Sequence, residues 1–373
     1  MNTLSSGSSR LVSLDALRGF DMFWIMGGNL IVIEWARLTQ APWLNWLAEQ
    51  MHHVEWHGFH FYDIIFPLFI FLSGVSMPFS FDKRMQSGKK QLYLHIFKRT
   101  LILIFFGLIT RGLLWIPWQE LRHQMGYTSV LGRIALAWCL ASFIYLHSTH
   151  RQRWIWFGVI LAGYWMMMAL IPVPGCGAGN FTHDGNLAGY LDRLLLPGKL
   201  NEGNFDSEGL LSTLPAVATA LLGSFAGHLI KNNSSLTPFQ KGIVLLGAGA
   251  VCMLAGWIWN FTFPINKKLW TSSFVLYAGG LSLILLSVFY LIIDVWHFKK
   301  WAFPFVIIGM NSITIYMVQR GIIQFTSMRD FFLMGFIRSM PEAWQPLLNA
   351  VGFSLAAWVF LYFLYKKNIF LKV

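Results

Sequence analysis

The sequence predicts an all-α polytopic membrane protein of about ten transmembrane helices, and three observations carry that expectation. The first is composition: of 373 residues, 56% are hydrophobic and only 12% charged, about half the roughly 25% of a soluble domain. The second is spacing. Apolar windows of about 20 residues, the length a helix needs to cross a hydrocarbon core of about 30 Å, recur along the chain. The third is the placing of the basic residues, which favour alternate loops. The 33 Phe and 18 Trp suit aromatic belts at both membrane surfaces.

The windows fall at 15–35, 59–80, 95–115, 129–147, 154–172, 209–230, 239–260, 271–293, 302–323 and 345–365. Ahead of them, residues 1–12 are expected to form a disordered cytoplasmic tail, since they lack the apolar core of a cleaved signal peptide. No Pro/Gly/Ser linker or internal repeat divides the rest, so 13–373 is read as one transmembrane domain. With the N-terminus inside, 16 of the 28 Lys and Arg residues face the cytoplasm, among them Lys83, Arg84, Lys89, Lys90, Lys98 and Arg99. Eight lie on the opposite side, and four (Arg18, Arg111, Arg133, Arg320) fall within or beside spans. The bias puts both termini in the cytoplasm. The net charge of +12 then reports basic loops facing anionic lipid and not a nucleic-acid partner. Cys139 and Cys252 sit in apolar runs and Cys176 in a loop, so no disulfide framework is implied.

Two outer segments are long. Residues 36–58, with Pro42, several Trp and a histidine cluster, read as a helix lying in the interface. Residues 173–208, rich in Gly, Asn and Asp, are too long for an idle connection, and loops over a helical scaffold commonly carry binding sites.

Polar residues at membrane depth call for an explanation, because a charge there costs at least about 2.5–3.5 kcal/mol on insertion scales. Asp15 and Arg18, spaced i, i+3, share a helix face and can pair. In a straight helix Asn29, eleven residues beyond Arg18, falls on the same face roughly 16 Å further along. That predicts a polar stripe through the bilayer. His53 lies in the run His52-His53-Val54-Glu55-Trp56-His57-Gly58, just before Asp63 opens the second span. Histidine is the side chain best suited to take and return a proton near neutral pH, and a nearby carboxylate would orient it. His52, His57 and His60 read as headgroup-facing residues, and no ligand spacing points to a metal. Asp206 and Glu208 precede the sixth span, where they either cap the helix or hold hydroxyls or an ammonium group. Arg133 opens the fourth span, and Gly309-Met310-Asn311-Ser312 interrupts the ninth with polar groups.

In order along the chain, S-L-D-A-L-R-G-F (13–20), H-V-E-W-H-G (53–58), D-I-I-F-P-L-F-I-F (63–71), V-L-G-R-I-A (130–135), D-S-E-G-L-L-S-T (206–213), P-I-N-K-K-L-W (264–270) and G-M-N-S-I (309–313) resemble the heparan-alpha-glucosaminide N-acetyltransferase family of transmembrane acyltransferases. The resemblance runs from Ser13 through nearly the whole chain. It implies an enzyme that moves acetyl from cytosolic acetyl-CoA, used as co-substrate with no metal, to the amino group of a glucosamine-type sugar or oligosaccharide across the bilayer. It implies a catalytic His53, matching the histidine of the family's H-x-x-W-x-G motif, with Asp63 beside it, and Asn29 lining the site. Asp15, Arg18, Asn29, Asn311 and Ser312 are assigned to the coenzyme, and Arg133, Asp206, Glu208, Lys267 and Trp270 to the acceptor. His53 acts either as a base or as a covalent acetyl carrier. Two departures bear on the acceptor. The luminal domain and extra leading helix of lysosomal members are not in this sequence, and Met317-Val318-Gln319-Arg320 stands where the family has a histidine-containing segment. The first suits a bacterial inner-membrane relative with a periplasmic acceptor face; a homodimer is compatible with it. The rival readings are a transporter of amino sugars or cell-wall fragments, with His53 as proton-coupling group, and a glycan O-acetyltransferase.

Overall fold

A computed structural model describes residues 11–232, 235–319 and 322–371. The expected 1–12 tail lies almost wholly outside the described residues, as do Arg320 and Lys372. In chain order the helices are α1 (Val12–Thr39), α2 (Pro42–Gln50), α3 (Phe61–Met85), α4 (Lys89–Thr110), α5 (Val130–His147), α6 (His150–Leu170), α7 (Leu187–Leu195) and α8 (Leu210–Asn232). They continue as α9 (Pro238–Trp259), α10 (Ser272–Val295), α11 (Phe303–Met310), α12 (Ser312–Val318), α13 (Phe325–Ser339) and α14 (Glu342–Lys366). Among the described residues nine of these are long and apolar enough to cross a membrane, and there is no β-strand. The chain is an all-α, multi-pass membrane protein.

The window at 302–323 departs from expectation. At Asn311 the backbone leaves helical geometry, with φ −128° and ψ 30°, and the run splits into α11 of 8 residues and α12 of 7, each too short to span. Segment 36–58 also differs. The helix of the first span continues to Thr39, and only Pro42–Gln50 forms a separate short helix, with Trp43 and Trp46 exposed and Leu44 buried.

The chain divides into two compact units. One comprises the described residues up to Ile31, Leu236–Val244 and Leu285–Leu371. Within it α1 crosses α11 at backbone distance: a methyl group added to Gly19 would overlap the Phe305 carbonyl, and one on Gly309 the Asp15 carbonyl. Asp294 accepts a hydrogen bond from the Ser13 amide at 3.2 Å, satisfying a donor at the start of α1.

The other unit, Val32–Ser235 with Leu245–Ile284, is built on the crossing of α3 and α8. Gly74 faces the Ala220 carbonyl, Gly223 the Phe71 carbonyl and Gly227 the Val75 carbonyl, each too closely for any side chain. Small residues are what let helices approach so far in lipid, where no hydrophobic driving force acts between them. Around this pair, Ser129 caps α5 by accepting from Gly132 at 3.0 Å, and Thr149 with Gln152 forms a capping box on α6. The crossing fixes where α3 and α8 begin, and both starts carry site residues.

Gly223→Val is therefore expected to destabilise the protein by at least the roughly 1–3 kcal/mol of ordinary overpacking. Gly163→Ala, on an open face of α6, should leave stability unchanged or raise it by no more than about 1 kcal/mol. Melting temperatures of the two variants in detergent check this pair.

Candidate active site

The site begins with the start of α3. Phe61–Ile64 forms a single 3₁₀ turn, and Asp63, 2% exposed, turns back so that Oδ2 accepts from the His60 amide at 3.0 Å and the Val54 amide at 3.4 Å. A carboxylate there pairs with the amide of the N-cap residue and with one from the preceding loop, and lies at the positive end of the helix dipole. Its other oxygen, Oδ1, is 2.8 Å from His53 Nδ1. That contact assigns the Nδ1 proton and leaves the Nε2 lone pair as the working edge of the ring. Half of the His53 side chain is exposed, against 2% for Asp63, and the ring lies 4.8 Å from that of Tyr62.

A third group joins them from far away in sequence. Lys267 Nζ is 3.3 Å from Asp63 Oδ1, 2.9 Å from His53 Nδ1 and 3.2 Å from Nε2. With Nδ1 donating to Asp63, only the Nε2 approach can be a hydrogen bond from the ammonium. Burial pushes the Lys267 ammonium below its ordinary range, against the Asp63 carboxylate, which holds it up.

The P-I-N-K-K-L-W segment presents Lys267 through a dense local network. Fully buried Asn266 accepts from the Leu269 amide at 2.8 Å and its own amide donates to Thr271 Oγ1 at 3.0 Å. Thr271 donates to the Pro264 carbonyl at 2.9 Å, and Asn260 receives the Ile265 amide at 2.7 Å. The Gly58 amide donates to the Ile265 carbonyl at 2.9 Å, so the histidine loop and the lysine loop are clamped together. The other histidines do not converge on His53. His60 Nδ1 meets the His52 carbonyl at 3.1 Å, and His57 Nδ1 meets Asn266 Nδ2 at 3.4 Å.

Beside this centre lies a carboxylate network at the start of α8. Glu208 receives Arg111 Nη2 at 2.9 Å, Asn201 Nδ2 at 2.5 Å and Ser207 Oγ at 3.1 Å. Asp206 receives the Glu208 amide at 2.9 Å and both the amide and side chain of Asn201 at 3.2 Å. Asp192, on α7, receives the Leu210 amide at 3.0 Å and the Asp206 amide at 3.2 Å. Arg133 is enclosed below them, donating to Ser212 Oγ and, at 3.3 Å, to the Gly209 carbonyl. Its Nε and Nη1 have no hydrogen-bond partner among the described residues. The guanidinium instead lies 5.0 Å from the ring centre of Trp270 and 6.0 Å from that of Phe66, where aromatic faces attract a cation. Trp270 is itself buried, its Nε1 donating to Thr219 at 3.2 Å. Glu208 is near enough to act on the charges of both Arg133 and Lys267.

The structure thus brings together His53, Asp63 and Lys267, with Glu208, Asp206, Arg133 and Trp270 around them. The five residues assigned to the coenzyme belong to the other unit. There Arg18 Nη1 and Asp15 Oδ1 stand 4.0 Å apart. The straight-helix stripe to Asn29 is corrected: a π-helical segment, Trp24–Gly28, with Gly27 at φ 114°, interrupts α1, so counting 3.6 residues per turn no longer gives the face of Asn29. Asn311 is committed to the chain's own C-terminal segment, donating to the Ile369 carbonyl at 3.0 Å and accepting from the Leu371 amide at 3.3 Å. Ser312 opens α12 beside it.

Sequence reasoning missed Asp192, Arg111 as partner of Glu208, Asn201, and Asn266. For Asn266 a signal existed, an asparagine inside a short segment already singled out. Asp192 had none, being one acid in a polar stretch that pairs with positions 14 and 18 residues on.

This is a helical membrane protein with a histidine–carboxylate–lysine centre at the start of one of its spans. The model of the heparan-alpha-glucosaminide N-acetyltransferase catalytic region matches residues 10–254, and the chain belongs to that family. It is 26% identical to the human heparan-alpha-glucosaminide N-acetyltransferase over 382 aligned residues, covering 86% of this chain and 55% of that protein. The mouse protein of the same name gives 26% over 377 residues, 86% and 56%. The chain therefore spans about half the length of the curated relatives it matches. His53, Asp63, Arg133, Asp206 and Glu208 fall inside the matched region; Lys267 and Trp270 lie beyond it.

Burial pushes the Asp192 carboxyl up to about 6, outweighing the two amides that favour its charge. Because the folded value lies above the ordinary 3.8, the stability it contributes is complete below about pH 4 and is lost as pH rises through 6. Asp192→Asn is expected to flatten that part of the pH dependence of melting temperature relative to wild type. Proteolysis of the 173–208 segment, measured across pH 4.5–7.5, should lose its pH dependence in the same variant.

Proposed function

We propose that this protein is an acetyl-CoA-dependent amino-sugar N-acetyltransferase of a bacterial inner membrane, with both termini cytoplasmic and the acceptor, a glucosamine-type sugar, periplasmic. The observation that supports this best is the 2.8 Å contact of His53 Nδ1 with an enclosed Asp63 in a chain of an N-acetyltransferase family. Such a pair leaves Nε2 as the basic nitrogen of the ring, one that the Lys267 ammonium, 3.2 Å away, has to release to the incoming amine. The neutral acceptor amine attacks the thioester carbonyl carbon, the new C–N bond forms, and the C–S bond breaks. Nε2 takes the proton lost by the amine nitrogen and returns it to the departing sulfur, so the histidine ends unchanged. In the covalent variant, Nε2 itself attacks the thioester carbon and the amine then displaces the imidazole; the same atom is used in either route.

Among the residues assigned to the acceptor, Arg133, Asp206 and Trp270 are enclosed by protein. We assign them to the wall that holds the site, and direct sugar contact to Glu208 and the surface around it. For the coenzyme, Asp15, Arg18, Asn29 and Ser312 remain the proposed contacts, while Asn311 contributes by holding the C-terminal segment.

His53→Ala is expected to lower transfer of labelled acetyl from acetyl-CoA to glucosamine by about 10²–10⁴-fold, the usual loss of a general base. Binding of acetyl-CoA, read as a thermal shift, should persist. A variant that keeps more than about a tenth of the rate overturns the assignment, and wild-type protein that moves amino sugar without acetylating it favours a transporter. Sidedness is checked separately: cysteine placed at position 53 should react with a membrane-impermeant reagent on intact cells. Labelling only after lysis would reverse the topology.

A further inference from the structure

We propose that Lys267 is a positioning residue that sets the charge of the His53–Asp63 pair, so that the imidazole can return the proton it takes. The inference rests on the acetyl-transfer reading above and replaces a sugar-binding role for this lysine.

Its first support is geometry. Lys267 Nζ and His53 Nδ1 meet the same carboxylate oxygen, Asp63 Oδ1, at 3.3 and 2.8 Å. The ammonium also lies within 3.2 Å of both ring nitrogens, so its charge acts directly on the imidazole. Only a fifth of the Lys267 side chain is exposed, and its segment is fixed by buried Asn266 and Thr271. The neighbours that could change this balance are few. Tyr62 adjoins the His53 ring, and Glu208 and Lys268 act on Lys267 from behind with opposite signs. Lys268 is itself paired with Glu202 at 3.0 Å.

The second support is the demand of the reaction. Without the lysine, a carboxylate and a neutral imidazole carry one negative charge, and gaining a proton neutralises the pair. Such a histidine takes a proton readily and gives it up poorly. With Lys267, the group is neutral before the proton arrives and carries one positive charge afterwards. The imidazolium is then the stronger acid. Acetyl transfer needs both steps from the same nitrogen, uptake from the amine and release to the departing sulfur, and efficiency in each depends on a base of intermediate strength.

The test compares Lys267→Met with Lys267→Arg in two measurements. In the first, kcat/KM for acetyl transfer to glucosamine is followed with pH. Lys267→Met should move the acid limb of the profile upward by about one pH unit or more. It should also lower kcat roughly tenfold or more while the acceptor KM changes little, and Lys267→Arg should restore the limb. In the second, modification of His53 by diethyl pyrocarbonate, which attacks neutral imidazole, is titrated by mass spectrometry against a His53→Gln control. Its midpoint should move the same way. A limb and a midpoint that stay in place in Lys267→Met overturn the inference. So does a tenfold rise in acceptor KM with kcat unchanged, the mark of a sugar-binding lysine. If Lys267→Met does not fold, Lys267→Gln takes its place in both measurements. Wild-type protein that transfers no acetyl sinks the functional reading alone, because the His53 titration needs neither substrate.

Discussion

A carboxylate buried in the first turn of a membrane helix is the constraint on which this site depends. Asp63 has almost no contact with solvent, and an ionised group stripped of water costs several kcal/mol unless its oxygens are filled. Two amides fill one oxygen, and an imidazole and an ammonium fill the other. Each of those partners lies on a segment with no regular secondary structure of its own. The histidine loop and the lysine loop are thus drawn to one place by the same acid, and the Gly58–Ile265 backbone bond locks the arrangement. Removing any partner leaves that carboxylate with one fewer, so the same groups that surround it also order the loops.

That acid is located by helix packing that involves no polar group. The α3–α8 crossing is set by Gly74, Gly223 and Gly227 meeting facing carbonyls, and a rise of about 1.5 Å per residue then fixes the height at which Asp63 emerges. The same crossing positions the start of α8, where Gly209 and Ser212 receive Arg133 and the Asp192 side chain receives the Leu210 amide. The small-residue seam at depth and the charged network at the mouth are two ends of one packing decision.

How much of this was legible in the sequence follows from what hydropathy and spacing measure. Apolar windows placed nine spans because the bilayer imposes length on any helix crossing it. They failed at 302–323 because transfer energy carries no information about the backbone at Asn311, and at Asn29 because a 3.6-residue count assumes the uninterrupted helix that Trp24–Gly28 breaks. The His53–Asp63 contact was readable, being ten residues apart with a helix start between. The contact of Lys267 with His53 spans 214 residues, and no local pattern reports it; only a family resemblance marked the segment. Asp192 was invisible for a related reason. Acids in a Gly- and Asn-rich stretch look solvated until the fold covers one of them.

The charges gathered at the mouth also bear on the kind of acceptor. Asp63, Asp192, Asp206 and Glu208 face Lys267, Arg133 and Arg111, while Glu202 and Lys268 cancel each other. With every group ionised the cluster carries one negative charge in excess. Glu208 acts on both Lys267 and Arg133. An acceptor arriving as an ammonium would supply the missing positive charge, and a neutral hydroxyl would not. Once bound, that ammonium must lose a proton before its nitrogen can attack. In the role proposed for it, Lys267 would disfavour a further positive charge beside the ring and favour passing the proton on. On the proposed function, the cluster would attract the acceptor in its charged form and oppose that form at the ring, which is the order that transfer to an amine requires.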